Sequence, residues 1–145
     1  MAKPALNFIF YIAAPPEKVW ESYLSPESNR ILFMGADLQA DLKPGGALAW
    51  VGKGPDGKTI PYVQGKILRI EQPKLLHYTF QTTGKGKSSR VRLELTPETE
   101  ATKVTVFHDE WADDDVTYGD CADGWPRILS RLKTLIETGK TFKPH

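Results

Sequence analysis

The chain has 145 residues, 40% of them apolar, and a formal net charge of +1 at pH 7. A chain of this length forming one domain over residues 1–145 buries about two-thirds of its unfolded surface, so its core needs no metal or disulfide. The near-neutral balance gives no general pull toward nucleic acid or an anionic membrane, and no run reaches the ~20 apolar residues of a membrane span. The lone cysteine, Cys121, has no internal disulfide partner and no neighbours at zinc-ligand spacing. The N-terminal apolar run is too short for a secretory signal and is followed by Pro15 and Pro16, so a cytoplasmic protein is expected.

In chain order, Phe8, Phe10 and Ile12 stand at every second position and predict a first strand over 6–13 with those three side chains inward. Pro15-Pro16-Glu17 opens a short helix, since proline suits a first helical turn and glutamate complements the dipole there. Val19, Trp20, Tyr23 and Leu24 form its apolar stripe. Ser25 is placed to cap a second short helix ending near Leu32. Six strands follow near 36–41, 46–52, 60–70, 75–82, 89–96 and 102–110, separated by turns such as Pro44-Gly45-Gly46 and Pro55-Asp56-Gly57. From Asp123 to Gly139, Trp125, Ile128, Leu129, Leu132, Leu135 and Ile136 recur at the spacing of one helix face. One long helix must therefore cover one sheet. The expected fold is α+β: a curved seven-stranded antiparallel sheet around a C-terminal helix, with two short helices after the first strand.

Several of these segments carry a resemblance: 12–20 with its Ala14-Pro15-Pro16-Glu17, Leu42-Lys43-Pro44-Gly45-Gly46, Gly65 to Ile70 with Pro73, and Gly124-Trp125-Pro126-Arg127-Ile128-Leu129. In that order they resemble the START-like helix-grip superfamily, and within it the bacterial branch related to the activator of the heat-shock chaperone ATPase. The resemblance implies the fold. For function it implies a range from lipid and polyketide binders to cyclases and co-chaperones.

One motif is rejected. Gly52-Lys53-Gly54-Pro55-Asp56-Gly57-Lys58-Thr59 satisfies the pattern of a nucleotide-binding loop. That chemistry needs a helix N-terminus after the loop to meet the phosphates. Here Ile60-Pro61-Tyr62-Val63 is extended, Asp56-Gly57 signals a hairpin, and Asp56 would oppose a phosphate.

Strand and helix phase place Phe8, Phe10, Trp50, Val63, Tyr78, Phe80, Leu93, Val106, His108, Trp125, Leu129 and Leu132 toward the space between sheet and helix. If that space is hollow, these residues line a site for a small hydrophobic or aromatic ligand, with Tyr78, His108 and Trp125 as its orienting polar groups. No cofactor, metal or catalytic triad is assigned. An alternative is enzymatic: His108 and Glu110 share the parity of Val104 and Val106, and could act as acid and base at the pocket mouth. Another alternative uses charge. Seven basic residues against one acid lie between Tyr62 and Arg92, whereas seven acids and no base lie between Asp109 and Asp123. Lys66, Arg90 and Arg92 fall on the outer sheet face, where they could dock an acidic protein partner such as a chaperone. A monomer and a homodimer both remain open.

Overall fold

The computed structural model describes residues 3–33 and 35–143. Its elements, in chain order, are β1 (Leu6–Ile12), α1 (Pro16–Leu24), α2 (Pro26–Leu32), β2 (Asp37–Ala40), β3 (Ala47–Lys53), β4 (Thr59–Glu71), β5 (Leu75–Thr82), β6 (Ser89–Glu98), β7 (Ala101–Asp109) and α3 (Tyr118–Thr138). The strands form one curved antiparallel sheet of seven in the order β1-β7-β6-β5-β4-β3-β2, so that every neighbour in sequence is a neighbour in space except that β1 closes onto β7. This is the helix-grip arrangement expected from the sequence, and the strand boundaries agree with expectation to within a few residues.

Local chemistry accounts for the ends. Ser25 terminates α1 and caps α2, its Oγ accepting from the Ser28 N–H at 3.0 Å. The segment that mimics a nucleotide-binding loop is the β3–β4 hairpin turn, closed by the Gly54 N–H donating to the Lys58 carbonyl at 2.8 Å. Two irregularities bend the sheet. Tyr62 is an extra residue in β4, between Trp50↔Val63 and Val51↔Pro61, and Leu68 is extra between Ile67↔Tyr78 and Arg69↔His77. At Gly65, β4 comes so close to β5 that an added Cβ would lie 1.7 Å from the Thr79 carbonyl oxygen.

The long helix begins at Tyr118, not near Asp123, and Pro126 lies inside it. Residues 118–124 include two glycines and no apolar stripe, which is why periodicity alone misses them. The turn before the helix is held by Asp115, whose Oδ1 accepts from the Thr117 N–H at 2.9 Å and the Thr117 hydroxyl at 2.7 Å. Burial pushes the Asp115 carboxyl up, but its bonds from Thr117 and from the Lys87 N–H outweigh this and leave it lowered. The acidic residues before and in the first turn of α3 also meet the basic stretch before β6: Lys87 pairs with Asp114 at 3.0 Å and Lys85 with Asp120 at 3.7 Å.

The core joins α1, α3 and the inner sheet face through Ile12, Val19, Leu76, Val91, Leu93, Val104, Val106, Leu129 and Leu132, all fully buried. The extended close backbone approaches of α3 are to β1, α1 and α2. Arg131 is 4% exposed and donates to main-chain oxygens only: from Nη1 to Leu32, from Nη2 to Ile31, and from Nε to Phe142. It thereby neutralises the negative end of α2 and moors both α2 and the C-terminal segment to α3. Among the described residues no helix is long and apolar enough to cross a membrane.

Candidate functional site

Two adjoining chambers open between the β3–β5 side of the sheet and the first half of α3. The outer one has a volume of about 440 Å³ and the inner about 130 Å³, and Phe33, Trp50, Asp120, Gly124 and Ile128 are walls of both. Leu32, Tyr62, Val63 and Thr82 complete the sheet and α2 side of the outer chamber, and Asp123, Arg127 and Arg131 complete its helix side. Tyr78, Phe80, Cys121 and Trp125 enclose the inner one. The inner chamber is therefore largely aromatic, with Asp120 its one charged wall, and the other charged residues lie on the outer chamber, where Arg127 Nε donates to Asp123 at 3.2 Å.

Position follows from backbone geometry. Trp50 and Val63 face each other across β3 and β4, and Val63 is paired with Thr82 of β5, so these walls share one face of the pleat. The extra residue in β4 turns Tyr62 onto the cavity as well. Its ring lies against Gly52, where an added Cβ would come 2.4 Å from the ring carbons, and its hydroxyl donates to the Lys53 carbonyl at 2.7 Å. Gly52 is thus a seat for an aromatic ring.

The polar atoms of the wall are already engaged inside the protein. Trp50 Nε1 donates to Asn29 Oδ1 at 2.8 Å, and Asn29 Nδ2 donates in turn to the Tyr23 and Ser25 carbonyls, fastening β3 to the α1–α2 junction. The Tyr23 and Tyr78 hydroxyls share a hydrogen bond at 2.7 Å. Burial pushes the Tyr23 hydroxyl up to about 12 and the Tyr78 hydroxyl well above its ordinary value. Burial also pushes the Cys121 thiol up to about 12, with Asp115 and Asp120 adding to it, so it is an inert thiol rather than a nucleophile at neutral pH.

His108 closes the far end. Trp125 Nε1 donates to His108 Nδ1 at 3.0 Å. An indole N–H can only donate, so Nδ1 is the acceptor and Nε2 carries the proton. Nε2 then donates to Ser89 Oγ at 2.7 Å, and the Ser89 hydroxyl donates to the Phe80 carbonyl at 3.2 Å. Trp111 stacks on the imidazole with ring centroids 4.0 Å apart. Burial lowers the His108 pKa to about 3, against a small opposing effect of Asp115. A fully buried imidazole with both nitrogens bonded, neutral at physiological pH, fixes the Trp125 ring rather than moving protons.

Of the residues expected to line the space, Trp50, Val63, Tyr78, Phe80 and Trp125 border the chambers. Leu93, Val106, His108, Leu129 and Leu132 face inward but are fully buried in the packed part of the core, and Phe8 and Phe10 are half-buried against it. Glu110 does not join His108: β7 ends at Asp109, Glu110 adopts a left-handed φ of 58°, and the interrupted alternation leaves it exposed. Tyr62, Phe33 and Ile128 were not foreseen as walls. A bulge, a position just past a helix end and a flank of the helical stripe explain the three omissions.

On the outer sheet face, Lys66 and Arg90 are exposed, whereas Arg92 pairs with Glu94 at 2.9 Å and lies over the Phe107 ring, 4.4 Å from its centroid. His77 sits beside Arg69 and Arg92 in the strand register, and burial together with those cations and Arg90 lowers its pKa.

Solved structures share this architecture. CalU16 from Micromonospora echinospora is 23% identical with a TM-score of 0.72, the match covering 93% of this chain and 77% of that one. An HSP90 activator from Plasmodium falciparum is 17% identical with a TM-score of 0.75, covering 93% and 97%. The Aha1 dimer from Colwellia psychrerythraea is 18% identical with a TM-score of 0.73, covering 95% and 99%. No curated protein matches the sequence. The family model described as activator of Hsp90 ATPase homolog 1-like protein matches residues 13–137, and with nearly all of its sheet and its long helix inside that match, the chain belongs to this family.

Proposed function

We propose that the chain binds a small apolar or aromatic molecule in the two chambers between β3–β5 and α3. The observation that carries this reading is the state of the wall: a hollow whose tryptophan N–H groups and asparagine are bonded within the protein, leaving mainly aromatic and aliphatic surface to a guest. Burying ~200 Å² of apolar ligand surface contributes about 5 kcal/mol before the costs of association, so this area alone supports binding no tighter than about 0.2 mM, and tighter binding requires a larger buried ligand area. The test is displacement of 1-anilinonaphthalene-8-sulfonate from purified protein, with native mass spectrometry to find any co-purifying mass. Ile128→Trp, which fills the wall common to both chambers, should abolish binding while the thermal transition is retained. Absence of binding by the wild type would overturn the reading.

A second reading rests on the family and on the likeness to the HSP90 activator from Plasmodium falciparum. In it the exposed Lys66 and Arg90 dock an acidic surface of a chaperone ATPase. Stimulation of that ATPase at low salt, lost on Lys66→Glu with Arg90→Glu, is the expected result, and no stimulation at low salt removes the reading.

A further inference from the structure

Gly124 lies inside α3 and is a wall of both chambers. Neither usual reason for a glycine holds there. Its φ is not in the left-handed region, so the backbone does not require it. An added β-carbon would meet nothing within 4 Å, so close packing does not require it either. A glycine inside a helix is less stable than alanine, so the position carries a cost that the fold does not explain. Helix phase shows where the open space lies. At about 100° per residue, Asp123 and Trp125 point about 100° to either side of residue 124. Toward Asp123, the residues Asp123, Arg127 and Arg131 border the outer chamber alone, and toward Trp125, Cys121 and Trp125 border the inner one alone. Asp120, Gly124 and Ile128, spaced four apart, border both. Gly124 therefore stands at the centre of the arc that α3 turns to the cavity, and its missing side chain leaves a gap where the chambers meet. We infer that Gly124 is the specificity-determining position of the cavity, keeping a passage open between the chambers, and that the ligand is an elongated, flat molecule of at least two aromatic rings lying across it.

Size and polarity narrow the class. The inner chamber, about 130 Å³, is close to the ~150 Å³ apolar cavity that accommodates a single benzene ring. A longer molecule with one ring there leaves its remainder in the outer chamber of about 440 Å³. Across from the helix, the walls common to both chambers are Phe33 and Trp50, whose rings lie with centroids 5.4 Å apart. The Trp50 N–H is already taken by Asn29, so these walls offer ring surface alone. Asp120 is exposed and lies 3.7 Å from Lys85, which places its charge at the mouth. A passage with aromatic rings on one side and bare helix backbone on the other suits a planar ring.

This inference rests on the cavity being a ligand site, and its test separates the two. The probes are phenol, whose single ring fits within one chamber, and 4-phenylphenol, which is long enough to occupy both. Dissociation constants are measured by isothermal titration calorimetry on wild type, Gly124→Ala and Gly124→Val, with thermal denaturation of each. A passage predicts opposite signs at one position. Gly124→Ala should raise Tm by about 3 °C, because alanine favours the helix and its methyl meets no neighbour. The same methyl should weaken 4-phenylphenol about threefold, and Gly124→Val about tenfold, while phenol stays within about twofold in both variants. In wild type the Gly124 Hα protons should show nuclear Overhauser contacts to the rings of bound 4-phenylphenol, a readout that needs no variant. If neither probe binds wild type, the cavity reading and the passage fall together. If phenol alone binds, or Gly124→Ala lowers Tm, or the variants leave 4-phenylphenol unchanged or weaken both probes equally, or the Overhauser contacts are absent, the passage alone is overturned.

Discussion

The two ends of the space between sheet and helix are built from the same kind of residues and come out opposite. At the β6–β7 end, Leu93, Val106, Leu129 and Leu132 fill the interior completely and His108 ties Ser89 to Trp125. At the β3–β5 end, Trp50, Val63 and Phe80 face the helix across open chambers. Amphipathic phase is identical in both regions. The difference lies in what stands opposite: α3 approaches β1 closely, while the two bulges of β4 curl the other half of the sheet away from the helix. An inward-facing residue is a core residue or a wall according to the distance to the next layer.

The contrast can be broken most sharply by acid. His108 has a pKa of about 3 in the folded protein against an ordinary 6.5, so between those values the unfolded chain binds a proton that the native state refuses. Its contribution is fully present above pH 6.5 and is lost as pH falls toward 3, to the extent of about 4 kcal/mol. Urea denaturation across this range should show that limb, and His108→Gln should flatten it. An unchanged limb would mean that the closed end does not depend on a neutral imidazole.

Neighbouring residues of α3 give the next largest effect. Leu129, fully buried at the packed end, should cost about 3 kcal/mol on replacement by alanine, whereas Ile128→Ala, beside an existing hollow, should cost about 1 kcal/mol. Equal losses in chemical denaturation would erase the distinction between filled and open ends. At the boundary, Trp125→Phe keeps an aromatic wall but removes the N–H that bonds His108 Nδ1, and a loss of about 1 kcal/mol is expected. Its acid limb should shift along with its stability, since Nδ1 is then left without its donor. The smallest change is at Gly52→Ala, where the new methyl meets the Tyr62 ring. Thermal denaturation should report a modest loss, and sulfonate-probe affinity should fall with the displaced ring.

Much of this architecture was legible in the residues themselves. Alternation in Phe8-Phe10-Ile12 and the three-and-four spacing from Trp125 to Ile136 fix one sheet and one long helix because periodicity reports burial directly. The parity of His108 with Val104 and Val106 correctly turned it inward. Glu110 escaped the same rule because a single left-handed residue ends the alternation. Tyr62 escaped because a bulge puts consecutive residues on the same wall, and the first turns of α3 escaped because a helix that borders a cavity has no need of an apolar stripe there. Hydrogen-bond consumption, as at Trp50 with Asn29, depends on contacts between distant segments that no local pattern encodes.

The acceptors of Arg131 are all main-chain oxygens, those of Ile31, Leu32 and Phe142. Every residue type supplies a carbonyl, so these three bonds do not depend on which side chains Ile31, Leu32 and Phe142 carry. Phe33, just past the end of α2 and facing the outer chamber, can therefore change shape without loss of the Arg131 bonds, whereas Leu32 is buried in the core. On the proposed ligand-binding reading, a wall residue that would meet a guest is thus separate from the main-chain bonds that keep the frame in place.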